Sequence, residues 1–178
     1  MYARALGWGL GVDAEPAKAF ELAQKSASQN FPPGLNLLGC LYLDGVGIDA
    51  DLFKAAKLFK QAAALGNVKA KRNLGNCYLK GDGVPMDAVK AVNLLQEAAL
   101  EGSADAANDL GYYFLKHEIK DRQAQAFRWY SMAADLGSDC GKADLAMCYR
   151  VGIGCETDKE KALAMYQSLA AKSNSYSK

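Results

Sequence analysis

Several ingredients of a catalytic or metal centre are scarce in this sequence. It has one histidine, His117, among 178 residues, and its five cysteines, Cys40, Cys77, Cys140, Cys148 and Cys155, are odd in number and include no CxxC pair. Structural zinc needs four Cys or His ligands at close spacing, so no metal site is expected. No disulfide framework is implied either, and reduced thiols fit a cytoplasmic setting; a removed leader would leave secretion or the periplasm open. Charge of one sign is also missing: 21 Lys and Arg face 20 Asp and Glu. No global field therefore draws the chain to a nucleic-acid backbone or an anionic membrane. No stretch approaches the roughly 18 apolar residues that a membrane helix needs, and Met1-Tyr2-Ala3-Arg4 does not open a signal peptide.

What the sequence does have is apolar content and repetition. With 51% apolar residues, a chain of this length can bury a core. The string Leu38-Gly39-Cys40-Leu41-Tyr42-Leu43-Asp44-Gly45-Val46-Gly47 recurs 36 residues later as Leu74-Gly75-Asn76-Cys77-Tyr78-Leu79-Lys80-Gly81-Asp82-Gly83. It returns as Leu110-Gly111-Tyr112-Tyr113-Phe114, and again as Leu145-Ala146-Met147-Cys148-Tyr149 with Gly152 and Gly154. A second string repeats with the same period: Asp51, Lys54-Ala55, Leu58-Phe59, Ala62-Ala63 and Gly66 become Asp87, Lys90-Ala91, Leu94-Leu95, Ala98-Ala99 and Gly102. Its third copy has Ala126, Trp129-Tyr130, Ala133-Ala134 and Gly137, and its fourth has Asp158, Lys161-Ala162 and Met165-Tyr166. A partial unit opens the chain. These periods divide it into 1–30, 31–66, 67–102, 103–137 and 138–172, with a polar tail over 173–178.

Within a unit the apolar residues fall at helical spacing, as in Leu52, Ala55, Leu58, Phe59, Ala62 and Ala63. Two helices per unit follow. The Gly-x-Gly pair turns the chain between them, because glycine reaches positive φ without steric cost. Asp51, Asp87 and Asp158 open the second helix, where a carboxylate accepts orphan backbone N–H groups. The third unit has His117 and Ile119 at the glycine positions, so its turn needs another backbone conformation. A helical hairpin of this size cannot bury its apolar face alone, so neighbouring units must stack.

This pattern resembles the Sel1-like repeat family, relatives of the tetratricopeptide repeats, over nearly the whole chain. The resemblance implies an all-α fold, a right-handed α-solenoid of stacked helix-turn-helix repeats forming a single domain over 1–172. It also implies a concave groove lined by the first helix of each unit. Offsets carried over from the related fold place Asn36, Cys40, Lys69, Arg72, Asn76, Leu79, Lys80, Asn108, Tyr112, Leu115, Lys116, Met147 and Arg150 in that groove. Pro33, Leu43, Asp44, Asp105, Cys140, Ala143 and Val151 complete the rows. Five of these residues are basic and two acidic, so the groove leans basic although the chain does not. Amides at Asn36, Asn76 and Asn108 suit a groove that reads a peptide backbone. A carboxylate clamp for a C-terminal tail is disfavoured, because Asp109 stands where an amide would be needed.

The remaining motifs are decoys. Gly7-Trp8-Gly9-Leu10-Gly11 follows no strand and coincides with a repeat turn, and Gly137-Ser138-Asp139-Cys140-Gly141-Lys142 lacks P-loop spacing. His117 beside Glu118 sits in a turn, where adjacent side chains diverge. Cys77 and Cys148 share one repeat position and read as small core residues, whereas Cys140 and Cys155 lie outside it. At least the first member of the Trp129-Tyr130 pair is expected to pack.

No enzyme and no cofactor is expected. The resemblance implies an adaptor or scaffold that binds another protein or peptide, one of acidic character given the groove, with neither nucleic acid nor membrane as partner. The alternative is a bacterial receptor for a small ligand or cell-wall glycan fragment; only Tyr112 supplies an aromatic groove residue for it. The uncapped ends predict either a fragment of a longer repeat protein or self-association through a terminal repeat.

Overall fold

The structure, a computed structural model, describes residues 15–175. The expected half-unit helix at Tyr2–Trp8 and its Gly7–Gly11 turn lie outside the described residues. Among those described there are nine helices and no strand: α1 (Pro16–Ser28), α2 (Pro32–Asp44), α3 (Leu52–Ala64), α4 (Val68–Lys80), α5 (Ala88–Leu100), α6 (Ala104–Lys116), α7 (Arg122–Asp135), α8 (Asp139–Val151) and α9 (Lys159–Ser175). The chain divides into two compact units, Met1–Leu94 and Leu95–Lys178.

The first unit is built on α1 to α4. Ala23, Ala27, Leu35, Leu38, Leu41, Ala62 and Ala70 form one buried cluster, and Ala55, Ala56, Phe59, Leu74 and Cys77 form another. Small residues dominate because helix axes must approach closely for a hairpin to exclude water. The Leu-Gly pair shows why: a Cβ at Gly39 would lie 2.6 Å from the Phe59 ring. Gly45 ends α2 in the left-handed conformation, φ 67°, with its N–H donating to the Leu41 carbonyl, and Gly47 follows at φ 76°.

In the second unit Ala106, Ala107, Leu110, Ala126, Tyr130, Ala133, Leu145, Ala146 and Cys148 are buried. Gly111 lies under Tyr130 as Gly39 lies under Phe59. In the fourth unit Ala146 stands where the glycine would be, and Tyr166, at the position of Phe59 and Tyr130, is only half-buried. It is therefore the second member of the Trp129-Tyr130 pair that fills the core. Trp129 is half-buried, and its Nε1 is enclosed without a hydrogen-bond partner.

Capping follows the sequence at the second helices. Asp51, Asp87 and Asp158 accept from the backbone N–H of Lys54, Lys90 and Lys161 at 2.9, 3.0 and 2.9 Å. The first helices have caps of their own, which the repeat pattern did not reveal: Asn67, Ser103 and Ser138 accept from Ala70, Ala106 and Gly141. Each stands directly after the glycine that ends the preceding helix.

The lysines three residues after the aspartate caps also pack on aromatic rings. Lys54 sits over Tyr42 at 5.2 Å, Lys90 over Tyr78 at 5.7 Å and Lys161 over Tyr149 at 4.1 Å, a cation–π contact in each hairpin. In the third unit Gln125 occupies the lysine position and Phe114 the tyrosine position, so the pair is not repeated; there His117 packs on Tyr113, 4.4 Å between ring centroids. The turn there departs from the others as its sequence requires: His117 is extended at φ −101°, and Asp121 takes the left-handed conformation at φ 57°. At the C-terminal end α9 continues through Ser175, into the stretch expected to be a polar tail. Its Lys172 pairs with Asp139 of α8 at 2.7 Å, while Leu163 remains 58% exposed.

Candidate functional site

The candidate residues lie on the first helices, α2 and α4 in the first unit and α6 and α8 in the second. Position within the turn separates them into two classes. Lys69, Lys80, Tyr112, Lys116 and Arg150 are exposed, whereas Asn36, Cys40, Arg72, Asn76, Leu79, Asn108, Leu115 and Met147 are half-buried.

The half-buried amides join adjacent first helices. In the first unit Asn73 of α4 donates through Nδ2 to Asn36 Oδ1 of α2 at 2.9 Å, with Cys40 Sγ 3.6 Å away. The second unit repeats the register: Asn108 of α6 donates to the Asp144 carboxylate of α8. Neither Asn73 nor Asp144 was among the sequence-derived candidates. Each follows a groove-row position, Arg72 and Ala143, by one residue, and Asp109 follows Asn108 in the same way, so the signal was a polar residue beside that one row. Asn108 keeps a buried Oδ1 with no hydrogen-bond partner, a group that costs about 1–3 kcal/mol when left unsatisfied. Arg72, Asn76 and Cys40 are engaged within the protein.

Burial sets the electrostatics. It pushes the Asp144 carboxyl above the usual carboxylate range, and the hydrogen bond from Asn108 opposes that rise. The Tyr130 phenol is raised first by burial and then by Asp144 nearby. Burial likewise pushes the thiols of Cys77 and Cys148 up to about 11. Both are buried core residues and stay protonated near neutral pH, so neither offers a nucleophilic thiolate. Cys140 is exposed, and Cys155 Sγ lies 3.5 Å from the Cys148 carbonyl oxygen. Among the described residues no three His, Cys, Asp or Glu side chains are grouped to hold a metal ion, and no helix is long and apolar enough to cross a membrane.

The exposed class has a different character. Tyr112 is 57% exposed, and Lys116, one helical turn further along α6, places Nζ 5.3 Å from its ring centroid. Arg150 and Val151 at the end of α8 are exposed in the same unit, and Lys69 and Lys80 are exposed at the two ends of α4 in the other. Exposed Tyr and Arg side chains are types that interfaces favour.

Known proteins share this architecture. A sequence profile described as the Sel1 repeat matches the chain five times, at residues 1–31, 32–67, 68–103, 104–138 and 142–174. A solved Sel1 repeat protein from Oxalobacter formigenes is 30% identical, with a TM-score of 0.84 over 96% of this chain and 70% of that one. A protective antigen present in uropathogenic Escherichia coli strains, which displays an SLR fold, is 28% identical, with a TM-score of 0.79 over 96% of this chain and 37% of its own. No curated protein matches the chain. Five consecutive matches, nine helices in hairpins and the likeness to solved repeat proteins agree: the chain has an all-α repeat-solenoid fold and belongs to the Sel1 repeat family.

Proposed function

We propose that this chain is an adaptor that binds an acidic segment of another protein on the exposed face of its first helices. Sel1 repeat proteins as a family are non-enzymatic scaffolds that mediate protein–protein interactions. The observation that carries the finer reading is the Tyr112–Lys116 pair. A Tyr ring that is more than half exposed, with a lysine over it and Arg150 exposed on the next first helix of the unit, is a surface that stacking of the repeats does not consume. Carboxylates of a partner would meet Lys116 and Arg150, and an apolar side chain would cover the ring.

Affinity capture from the source organism, with Lys116→Glu/Arg150→Glu as control, tests this reading. Both side chains are exposed, so the variant is expected to fold. Loss of specific captured proteins on the variant supports the proposal, and an unchanged set contradicts it.

A further inference from the structure

A second surface lies along the second helices of the first unit, where side chains appear that the repeat does not require. Phe53, in the first turn of α3, is 77% exposed; Met86, in the turn after α4, and Val89, in the first turn of α5, are each 72% exposed. The backbone of Gly83 packs directly against that of Leu52 and Phe53. Along this edge of the unit the turn that carries Met86 is therefore seated on the first turn of α3, which holds Phe53, and Val89 follows Met86 by three residues. Stacking does not demand apolar side chains there. Counting from the shared register of Ala55, Ala91, Ala126 and Ala162, the position of Phe53 and Val89 is Ala124 and Glu160 in the later units, and that of Met86 is Ala50 and Thr157.

The same edge is basic. Lys57 and Lys60 follow Phe53 by four and seven residues, which places all three on one face of α3. No Asp or Glu occurs between Leu52 and Ala64. Both lysines are exposed and form no ion pair among the described residues, whereas Lys54 is held by Asp51 at 3.1 Å. On α1 the position of Lys57 is Glu21, paired with Lys25 at 2.8 Å, so the positive face belongs to α3 and not to the repeat in general.

We infer that this edge is a second docking surface, one that takes an acidic segment of another protein bearing a large apolar side chain. The apolar side chain seats among Phe53, Met86 and Val89 while flanking carboxylates meet Lys57 and Lys60. Charge complementarity selects this occupant: exposed apolar area supplies affinity, and the unpaired lysines reject a basic or neutral competitor. The surface shares no residue with the first-helix face, so either can fail without the other.

The test is selection of a phage-displayed random peptide library on the full immobilised chain, followed by fluorescence polarisation of the enriched peptides. A class rich in Asp and Glu with at least one aromatic or large aliphatic residue is expected. Its affinity should fall about tenfold or more on Phe53→Ser and on Lys57→Glu/Lys60→Glu, as for truncation of an anchor and reversal of its charges. It should be unchanged on Lys116→Glu/Arg150→Glu and should weaken as salt rises. All three variants alter exposed side chains, and matching melting curves verify their folds. Enrichment of no acidic class overturns the inference, as does equal binding to the Phe53 and lysine variants. Loss on the Lys116/Arg150 variant alone supports the first-helix reading and overturns this one. A dimer in light scattering that Phe53→Ser abolishes assigns the edge to a second copy of the chain and also overturns it.

Discussion

A Cβ atom at Gly111 would lie 2.6 Å from the ring of Tyr130. That approach, repeated between Gly39 and Phe59 at the same distance, is the physical content of the Leu-Gly pair that marks each first helix. The helix-interior glycine is unfavourable for the backbone by about 0.5–1 kcal/mol relative to alanine. A fully buried aromatic on the facing helix offsets that loss, since its burial contributes about 1.5–3 kcal/mol.

Gly111→Ala is therefore expected to destabilise the protein by about 1–3 kcal/mol, as overpacking does, despite the better helix propensity of alanine. Tyr130→Leu introduced into that variant should recover part of the loss. Urea unfolding midpoints of the two variants check this; a stabilised Gly111→Ala would show that the hairpin opens without cost.

Thiol reactivity should divide the cysteines by burial. Cys140 is exposed, whereas Cys77 and Cys148 are buried with thiols pushed up to about 11. A chromogenic disulfide reagent near neutral pH should label Cys140 first and reach Cys77 and Cys148 only on unfolding. Rapid modification of Cys148 in the native protein would contradict the packing of α8.

Asp144 gives a pH signature. Burial holds its folded pKa above the unfolded value, so the folded state binds the proton more tightly and this group's contribution to stability falls as pH rises through that interval. Asp144→Asn removes that loss and keeps an oxygen to accept from Asn108. The variant should be at least as stable as the natural sequence at about pH 7, with the difference shrinking toward about pH 4. Thermal melts across that range check the slope; a variant equally destabilised at both ends would refute the assignment of burial as the cause.

The period of the glycines, alanines and capping aspartates made the helices, their hairpins and the buried thiols legible before any coordinate was known. The irregular third turn was legible too, because His117 and Ile119 cannot take glycine's place. Less was visible where a side chain's partner lies a full repeat away. Asn36 and Asn73 stand 37 residues apart, and no local pattern announces that their amides meet. The loss of the Lys–Tyr pair in the third unit was legible, since Gln125 and Phe114 stand at its two positions, but the packing of His117 on Tyr113 was not announced by any repeated residue. Phe53 and Met86 lie outside the apolar stripe that the repeat defines, but how far each is exposed became visible only in the structure. Helical spacing alone does not distinguish a stripe that packs from one that faces solvent.

Binding of protein by the exposed face of the first helices, as proposed, has a direct signature in solution. Quantitative affinity capture with the natural sequence and the Lys116→Glu/Arg150→Glu variant, at low and high salt, tests it most directly. The expected result is a set of acidic partners captured at low salt, reduced about tenfold by the variant and weakened by salt. Partners captured equally by both proteins at both salt concentrations would contradict it.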